Sequence, residues 1–223
     1  MAATDATPDG RRSRWDEHRL ARRDELVEAT LRAIRRHGAG VGMDEVAATA
    51  GTSKTVFYRH FDDRAGLYAA VAERVDATII RGLTRAADEP APEPGPGGTR
   101  AVVRAVIAAY LHLVAEDPEV YRFIVHAPLV PPGERPNGDA AAGMTDRIAG
   151  HVAQLVGSGM RADAGVPSGL WSVALVGMVR ATADAWLAAG GAHAGPGSDD
   201  LADELTALVW DGLGAVATSP VGG

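Results

Sequence analysis

Between Met43 and Arg64 the chain reads Met-Asp-Glu-Val-Ala-Ala-Thr-Ala-Gly-Thr-Ser-Lys-Thr-Val-Phe-Tyr-Arg-His-Phe-Asp-Asp-Arg, two short apolar stripes separated by Gly51. Val46, Ala47 and Ala50 fall at i, i+1 and i+4 and share one helix face, while Phe57 and Phe61, at i and i+4, make the facing stripe. Stripes this short bury little alone. They must pack on each other about the glycine, which is the geometry of a helix-turn-helix, with Thr52 or Ser53 placed to cap the second helix. Turning the phenylalanines inward leaves Lys54, Thr55, Tyr58 and Arg59 pointing outward. Cations, hydroxyls and an aromatic are the groups that meet phosphates and base edges in a major groove. Lys54 is the sole lysine in the sequence; all other fixed positive side chains are arginines.

This segment resembles the N-terminal domain of the TetR/AcrR family of bacterial repressors. That family runs from a small-residue helix through Ala-Gly-x-Ser to Tyr-x-x-Phe, then a basic residue and a leucine at the start of the next helix. Ala50, Gly51, Ser53, Tyr58, Phe61, Arg64 and Leu67 match it position by position. By this resemblance Lys54, Thr55, Tyr58 and His60 are the expected base and phosphate contacts, and Arg64 the phosphate clamp where relatives often carry lysine. Thr52, Ser53 and Arg59 complete the expected DNA-facing set. The chain departs from the pattern at Gly42, where relatives place a Thr or Ser cap, and Asp44 brings a negative charge that repels DNA. The resemblance implies an all-α fold, with a three-helix DNA-binding domain followed by a helical domain for ligand binding and dimerisation.

At 223 residues the chain is long enough for two domains. The expected division is a flexible basic N-terminal arm over 1–14, the helix-turn-helix domain over 15–63, and the ligand-binding and dimerisation domain over 64–223, with 64–87 as a connector helix. The net charge of −7 argues against a DNA binder until it is split along the chain. Residues 1–85 hold 15 Lys/Arg against 13 Asp/Glu, net +2, and residues 86–223 hold 7 against 16, net −9. Only the first part suits the approach to a polyanion. Arg11, Arg12, Arg14, Arg19, Arg22 and Arg23 form either a phosphate-seeking arm or a solubilising tail. The absence of cysteine excludes disulfides and thiolate metal sites and agrees with a reducing, cytoplasmic setting. Residues 1–10 have no apolar core of a signal peptide, and Arg180 and Asp184 interrupt the apolar stretch from Leu170 to Leu187, so no membrane partner is expected.

Helical periodicity extends through the chain. The first helix is expected from Trp15 to His37 with Leu20, Val27, Leu31 and Ile34 on one stripe; the connector carries Leu67, Val71, Val75 and Ile79 at four-residue steps behind an Asp62 or Asp63 cap. Asp88 to Gly98 and Pro128 to Gly138 are too rich in proline and glycine for regular structure and read as loops. Between and beyond them lie a helix capped by Thr99, a short helix opened by Asp117-Pro118-Glu119, and helices at 139–161, 167–189 and 198–217, the last capped by Ser198. The final two are rich in small residues and leucines, which suits a four-helix bundle with the same helices of a second copy, as the resemblance also implies. Such a homodimer presents two recognition helices to a pseudo-palindromic operator, roughly 34–36 Å apart.

No catalytic set converges. His112 and Glu116 share a face at i, i+4 without a second histidine at metal-ligand spacing, Gly38 to Gly42 follows a helix rather than a strand, and Gly165 to Gly169 is not a nucleophile elbow. The chain is therefore expected to be neither an enzyme nor the holder of a cofactor or metal. Aromatic and polar-tipped residues scattered over the acidic part, Tyr110, Tyr121, His151, Trp171, Met178 and Arg180, are the candidate lining of an effector pocket. The segment Gly177 to Trp186 resembles that of actinobacterial TetR-type regulators of lipid metabolism, which points to a small hydrophobic effector of the fatty acyl class. Arg180 would then pair with Asp184 or an anionic ligand. The rival reading is a helical ligand-binding or scaffolding dimer that does not read DNA, for which Gly42, Asp44 and the overall acidity speak.

Overall fold

The computed structural model describes residues 10–89, 96–126, 140–156 and 168–212, and all regular structure among them is helical. The helices are α1 (Gly10–His37), α2 (Met43–Thr49), α3 (Lys54–Phe61), α4 (Arg64–Asp88), α5 (Pro96–Glu116), α6 (Pro118–His126), α7 (Ala140–Val156), α8 (Ser168–Ala188) and α9 (Ser198–Asp211). A single 3-10 turn, Gly191–His193, precedes α9.

The helix ends follow from local chemistry, with some departures from the expected caps. Asp63 caps α4 as its sequence position foretells, its carboxylate accepting from the Gly66 N–H at 2.7 Å. Ser53 sits at the N-cap of α3 but its hydroxyl makes no capping bond, and α9 is preceded by Gly197 rather than capped by Ser198, which is its first helical residue. Thr99 does not cap α5, which begins at Pro96, because a proline at the first helical position lacks only an N–H that would have no partner there. α1 begins at Gly10, taking in part of the stretch expected as an arm, while residues 1–9, the loop expected over 128–138 and the ends expected for the last helices lie outside the described residues.

One continuous core runs through the molecule. Leu26, Val27, Leu31 and Ile34 of α1 meet Val46 and Ala47 of α2, Phe57 and Phe61 of α3, and Leu67 and Val71 of α4. Before Leu26, none of the described α1 side chains is buried: Leu20 is exposed rather than on the stripe, and Trp15 stands 72% exposed. The second half of α4 continues the core through Ile79 and Leu83 to Val103, Ile107 and Leu111 of α5. By composition α5 could pass for a membrane span, with mean hydropathy 1.3 over Gly98–Glu116, yet it packs between α4 and α9 with contacts to α7 and α8. On α9, Leu201 and Leu205 face α5 and close the chain's own core; besides Trp15 and Leu20 of α1, the large apolar side chains left exposed among the described residues are Val209 and Trp210 on α9 and Leu170, Trp171 and Val173 on α8. The leucine stripe expected at an interface is thus half spent inside the protomer.

α4 joins the two halves, and α6 ties them a second time. The Tyr68 hydroxyl of α4 donates to the Ile124 carbonyl of α6 at 2.5 Å, and its ring lies against Phe123. At the other end of α6, Glu119 accepts from the Ala39 N–H at 2.8 Å just past α1, and Asp117 accepts from Arg35 at 2.6 Å. α4 thus packs directly on α1 and α3, and α6 on α1.

Candidate nucleic-acid interface and apolar pocket

The α2–α3 unit is fixed by its phenylalanines. Phe57 is fully buried, Phe61 nearly so, and their rings stack at 6.1 Å while the Arg23 guanidinium lies over the Phe61 ring at 5.0 Å. The bend is made at Gly51, whose φ of +63° would strain any residue bearing a Cβ. A second close approach holds α4 against the end of α3: a Cβ on Gly66 would lie 2.0 Å from the Phe61 carbonyl oxygen. With both junctions pinned, Ser53, Lys54, Thr55, Arg59 and Arg64 are exposed, and Thr52, Tyr58 and His60 are partly so. The structure brings all eight expected DNA-facing residues onto α3 and its two flanks.

Two features of this surface were not legible as pairs in the sequence. His60 sits where burial, and then the charges of Arg59, Arg22, Arg19 and Arg23, push its pKa below the usual histidine value, so the arginines of α1 gather beside the C-terminal end of α3. Lys54 does not project alone: its Nζ lies 2.8 Å from Asp44 Oδ1 on α2, which raises its pKa through that hydrogen bond and charge. The side chains of Arg11, Arg12 and Arg14 lie outside what is described.

In the other half, α4, α5, α7 and α8 form a narrow, half-open apolar cleft with a void of about 20 Å³, lined by Leu83, Val106, Ile107, Tyr110, Ile148, Val152, Leu175, Val176 and Val179. The wall it presents is wholly apolar: Tyr110 contributes its ring, and its hydroxyl does not reach the cleft. The Tyr110 ring packs edge-on against Tyr121 of α6 at 6.5 Å, and the Tyr121 hydroxyl donates to Asp184 of α8 at 2.7 Å. Burial is the main reason both phenols have pKa values above the ordinary tyrosine value, so both remain neutral hydrogen-bonding groups. Of the six residues expected to line an effector pocket, only Tyr110 is among those of the cleft: His151 of α7 instead places its Nε2 2.8 Å from the Thr84 hydroxyl of α4, and Met178 of α8 packs partly buried on the core. Arg180 is half-buried on the same helix. Trp171 is 48% exposed near the start of α8, flanked by exposed Leu170 and Val173, because the helix face that meets α5 and α7 is carried by Ser172, Val176 and Val179 instead.

The sequence reading missed Asp76. It occupies the apolar register of α4 between Ala72 and Ile79, is only 5% exposed, and one carboxylate oxygen accepts from Arg147 of α7. The other oxygen has no partner among the described residues. Burial pushes its pKa up, against the opposing pull of Arg147. The available signal was a charge at i+4 and i−3 from small and apolar members of one stripe, a placement that demands a partner from another helix. No group of three or more His, Cys, Asp or Glu suited to a metal occurs among the described residues.

Comparison with known proteins accords with both halves. Residues 26–71 match the family described as bacterial regulatory proteins, tetR family, and residues 85–222 match the tetracyclin repressor-like C-terminal domain. An uncharacterised HTH-type transcriptional regulator of Mycobacterium tuberculosis is 34% identical over 219 residues, covering 96% of this chain and 86% of the relative. The HTH-type transcriptional activator FasR of Mycolicibacterium smegmatis is 31% identical over 99 residues, 44% of this chain and 42% of its own. Among solved structures, the regulator FadR of Bacillus subtilis in complex with stearoyl-CoA superposes with a TM-score of 0.59 at 13% identity, covering 84% of this chain and 97% of that one. Together with the helix-turn-helix geometry, the two matched family segments and the near full-length relative place this chain in the TetR family of bacterial DNA-binding transcriptional regulators, proteins that are not enzymes.

Proposed function

We propose that this regulator is a cytoplasmic repressor that binds a pseudo-palindromic operator as a homodimer and is released by a long-chain acyl effector lodged between α4, α5, α7 and α8. The observation that carries the reading is the cleft itself, whose wall is aliphatic except for Tyr110 and which leans on the connector helix through Leu83. An aliphatic wall rewards burial of an apolar chain and offers nothing to a polar ligand. FadR of Bacillus subtilis, which shares the fold, was solved with stearoyl-CoA, and this supports the acyl class.

The coupling follows from the helices that line the cleft. A chain entering between α7 and α4 pushes on the helix that begins at Arg64 beside the recognition helix, and on α6 through Tyr110 and Tyr121. Both helices end on α1, so the two recognition helices of a dimer change their spacing. The effector releases DNA only to the extent that it binds the released geometry more tightly than the bound one. In this assignment α3 reads bases with Lys54, Thr55 and Tyr58, while Thr52, Ser53, Arg59, His60 and Arg64 contact the backbone. The dimer forms through the outward apolar residues of α8 and α9.

The test is to recover operator fragments from genomic DNA with the full chain, then titrate long-chain acyl-CoA and fatty alcohols against the complex by fluorescence anisotropy. Ligands of this class should raise the melting temperature of the protein and lower operator affinity together. Val179→Phe should block the cleft, removing the ligand response while operator binding persists. If a broad panel of acyl and other hydrophobic compounds moves neither quantity, the effector assignment is wrong while the DNA-binding assignment stands.

A further inference from the structure

The pair of Lys54 and Asp44 has a consequence beyond packing. Both side chains are exposed, and exposed ion pairs add little to the stability of a fold. What the pair changes is charge and placement at the surface that meets DNA. The ammonium is 2.8 Å from a carboxylate in the first turn of α2, where a negative charge is held favourably by the unpaired N–H groups of that helix end. A lysine on its flexible stem otherwise neutralises whichever phosphate is nearest and adds sequence-independent affinity through counterion release. Tethered to Asp44, Lys54 carries no net charge to the backbone, yet its ammonium keeps two N–H donors for a base edge such as guanine O6 or N7.

We propose that Asp44 is a specificity-determining residue, which positions Lys54 for base readout and withholds its charge from non-specific DNA. This rests on the assignment of α3 as the recognition helix. It also inverts the sequence reading of Asp44 as a mere obstacle: the carboxylate lowers binding to all sequences and thereby widens the gap between the operator and the rest. Other cations remain to attract phosphates, since Arg59 and Arg64 are exposed beside α3.

The experiment compares the full dimeric chain with Asp44→Asn, Asp44→Glu and Lys54→Ala, on a recovered operator and on a scrambled duplex of equal length, by anisotropy over a range of KCl concentrations. With Asp44→Asn, the slope of log K against log salt on scrambled DNA should steepen by about 0.9 per half-site, near 1.8 for a dimer on both. Scrambled-DNA affinity should rise on the order of tenfold at low salt, operator affinity should gain less, and their ratio should fall at least threefold, by roughly one counterion per half-site. Asp44→Glu should restore most of the slope, and circular dichroism should show an unchanged fold in all three. An unchanged salt slope in Asp44→Asn overturns the proposal, as does an equal gain on operator and scrambled DNA, which makes Asp44 only a brake on charge. A Lys54→Ala chain that keeps its full operator preference removes Lys54 from readout and overturns it as well. Failure of the parent chain to prefer any fragment would instead sink the assignment of α3, a result independent of the slopes.

Discussion

Replacing Arg147 with alanine removes the cation that holds Asp76, a carboxylate buried in the α4 stripe whose other oxygen already lacks a partner among the described residues. Breaking a buried ion pair from one side typically costs about 3–5 kcal/mol. Arg147 is about half exposed, so solvent already screens the pair, and the expected loss at pH 7 falls to about 2–3 kcal/mol. For a chain of this size each kcal/mol lowers the melting temperature by about 2–4 °C, which gives a drop of roughly 4–12 °C. The pH dependence has a definite sign. Burial raises the folded-state pKa of Asp76, so the fold holds that proton more readily than the unfolded chain does. The stabilisation from protonation is present at low pH and is lost as pH rises through the raised value. Without Arg147 the pKa climbs further, so the deficit of Arg147→Ala is largest at neutral pH and shrinks as the pH falls toward the ordinary carboxylate range. Asp76→Asn keeps an oxygen for Arg147 without the buried charge and should cost no more than about 1 kcal/mol. Urea unfolding followed by circular dichroism between pH 5 and pH 8 at constant ionic strength measures all of this. An Arg147→Ala chain within about 0.5 kcal/mol of the parent at pH 7, or a deficit that does not shrink on acidification, would refute the reasoning.

Three other outcomes are expected. Gly66→Ala forces a Cβ into the Phe61 carbonyl, so it should displace α3, abolish operator binding and lower the melting temperature, whereas alanine at exposed Gly169, which has open space around it, should do neither. Trp171→Asp with Val173→Asp places charge on the outward face of α8 and should give a folded monomer by sedimentation, while Leu205→Asp, buried in the protomer, should unfold the chain; a double variant that stays dimeric would exclude this face. Because burial and then the charges of Arg59 and the α1 arginines depress the His60 pKa in free protein, and bound phosphates neutralise those charges, operator binding should take up a proton at His60. Affinity should therefore rise as pH falls from 8 to 6 and lose that dependence in His60→Asn, which anisotropy at fixed salt would show.

The recognition unit was legible because everything that defines it is local. Val46, Ala47, Phe57 and Phe61 repeat at helical spacing, Gly51 must bend, and the outward residues are whatever the stripe leaves over. The capping of α4 by Asp63 and the opening of α6 by Asp117-Pro118 were likewise short-range matters of one turn of chain. Periodicity could not say which stripe faces the same chain and which faces a second copy, since a leucine row looks identical in either place. Leu201 and Leu205 were decided by the packing of α9 on α5, and Trp171 was left outside by the rotation of α8, which no residue within α8 fixes. Asp44 beside Lys54, Asp76 beside Arg147, and Tyr121 beside Asp184 are pairings across helices, separated by 10, 71 and 63 residues along the chain. A charge in an apolar register announces that a partner must exist; only the tertiary fold chooses which one, because only there do desolvation and distance act together.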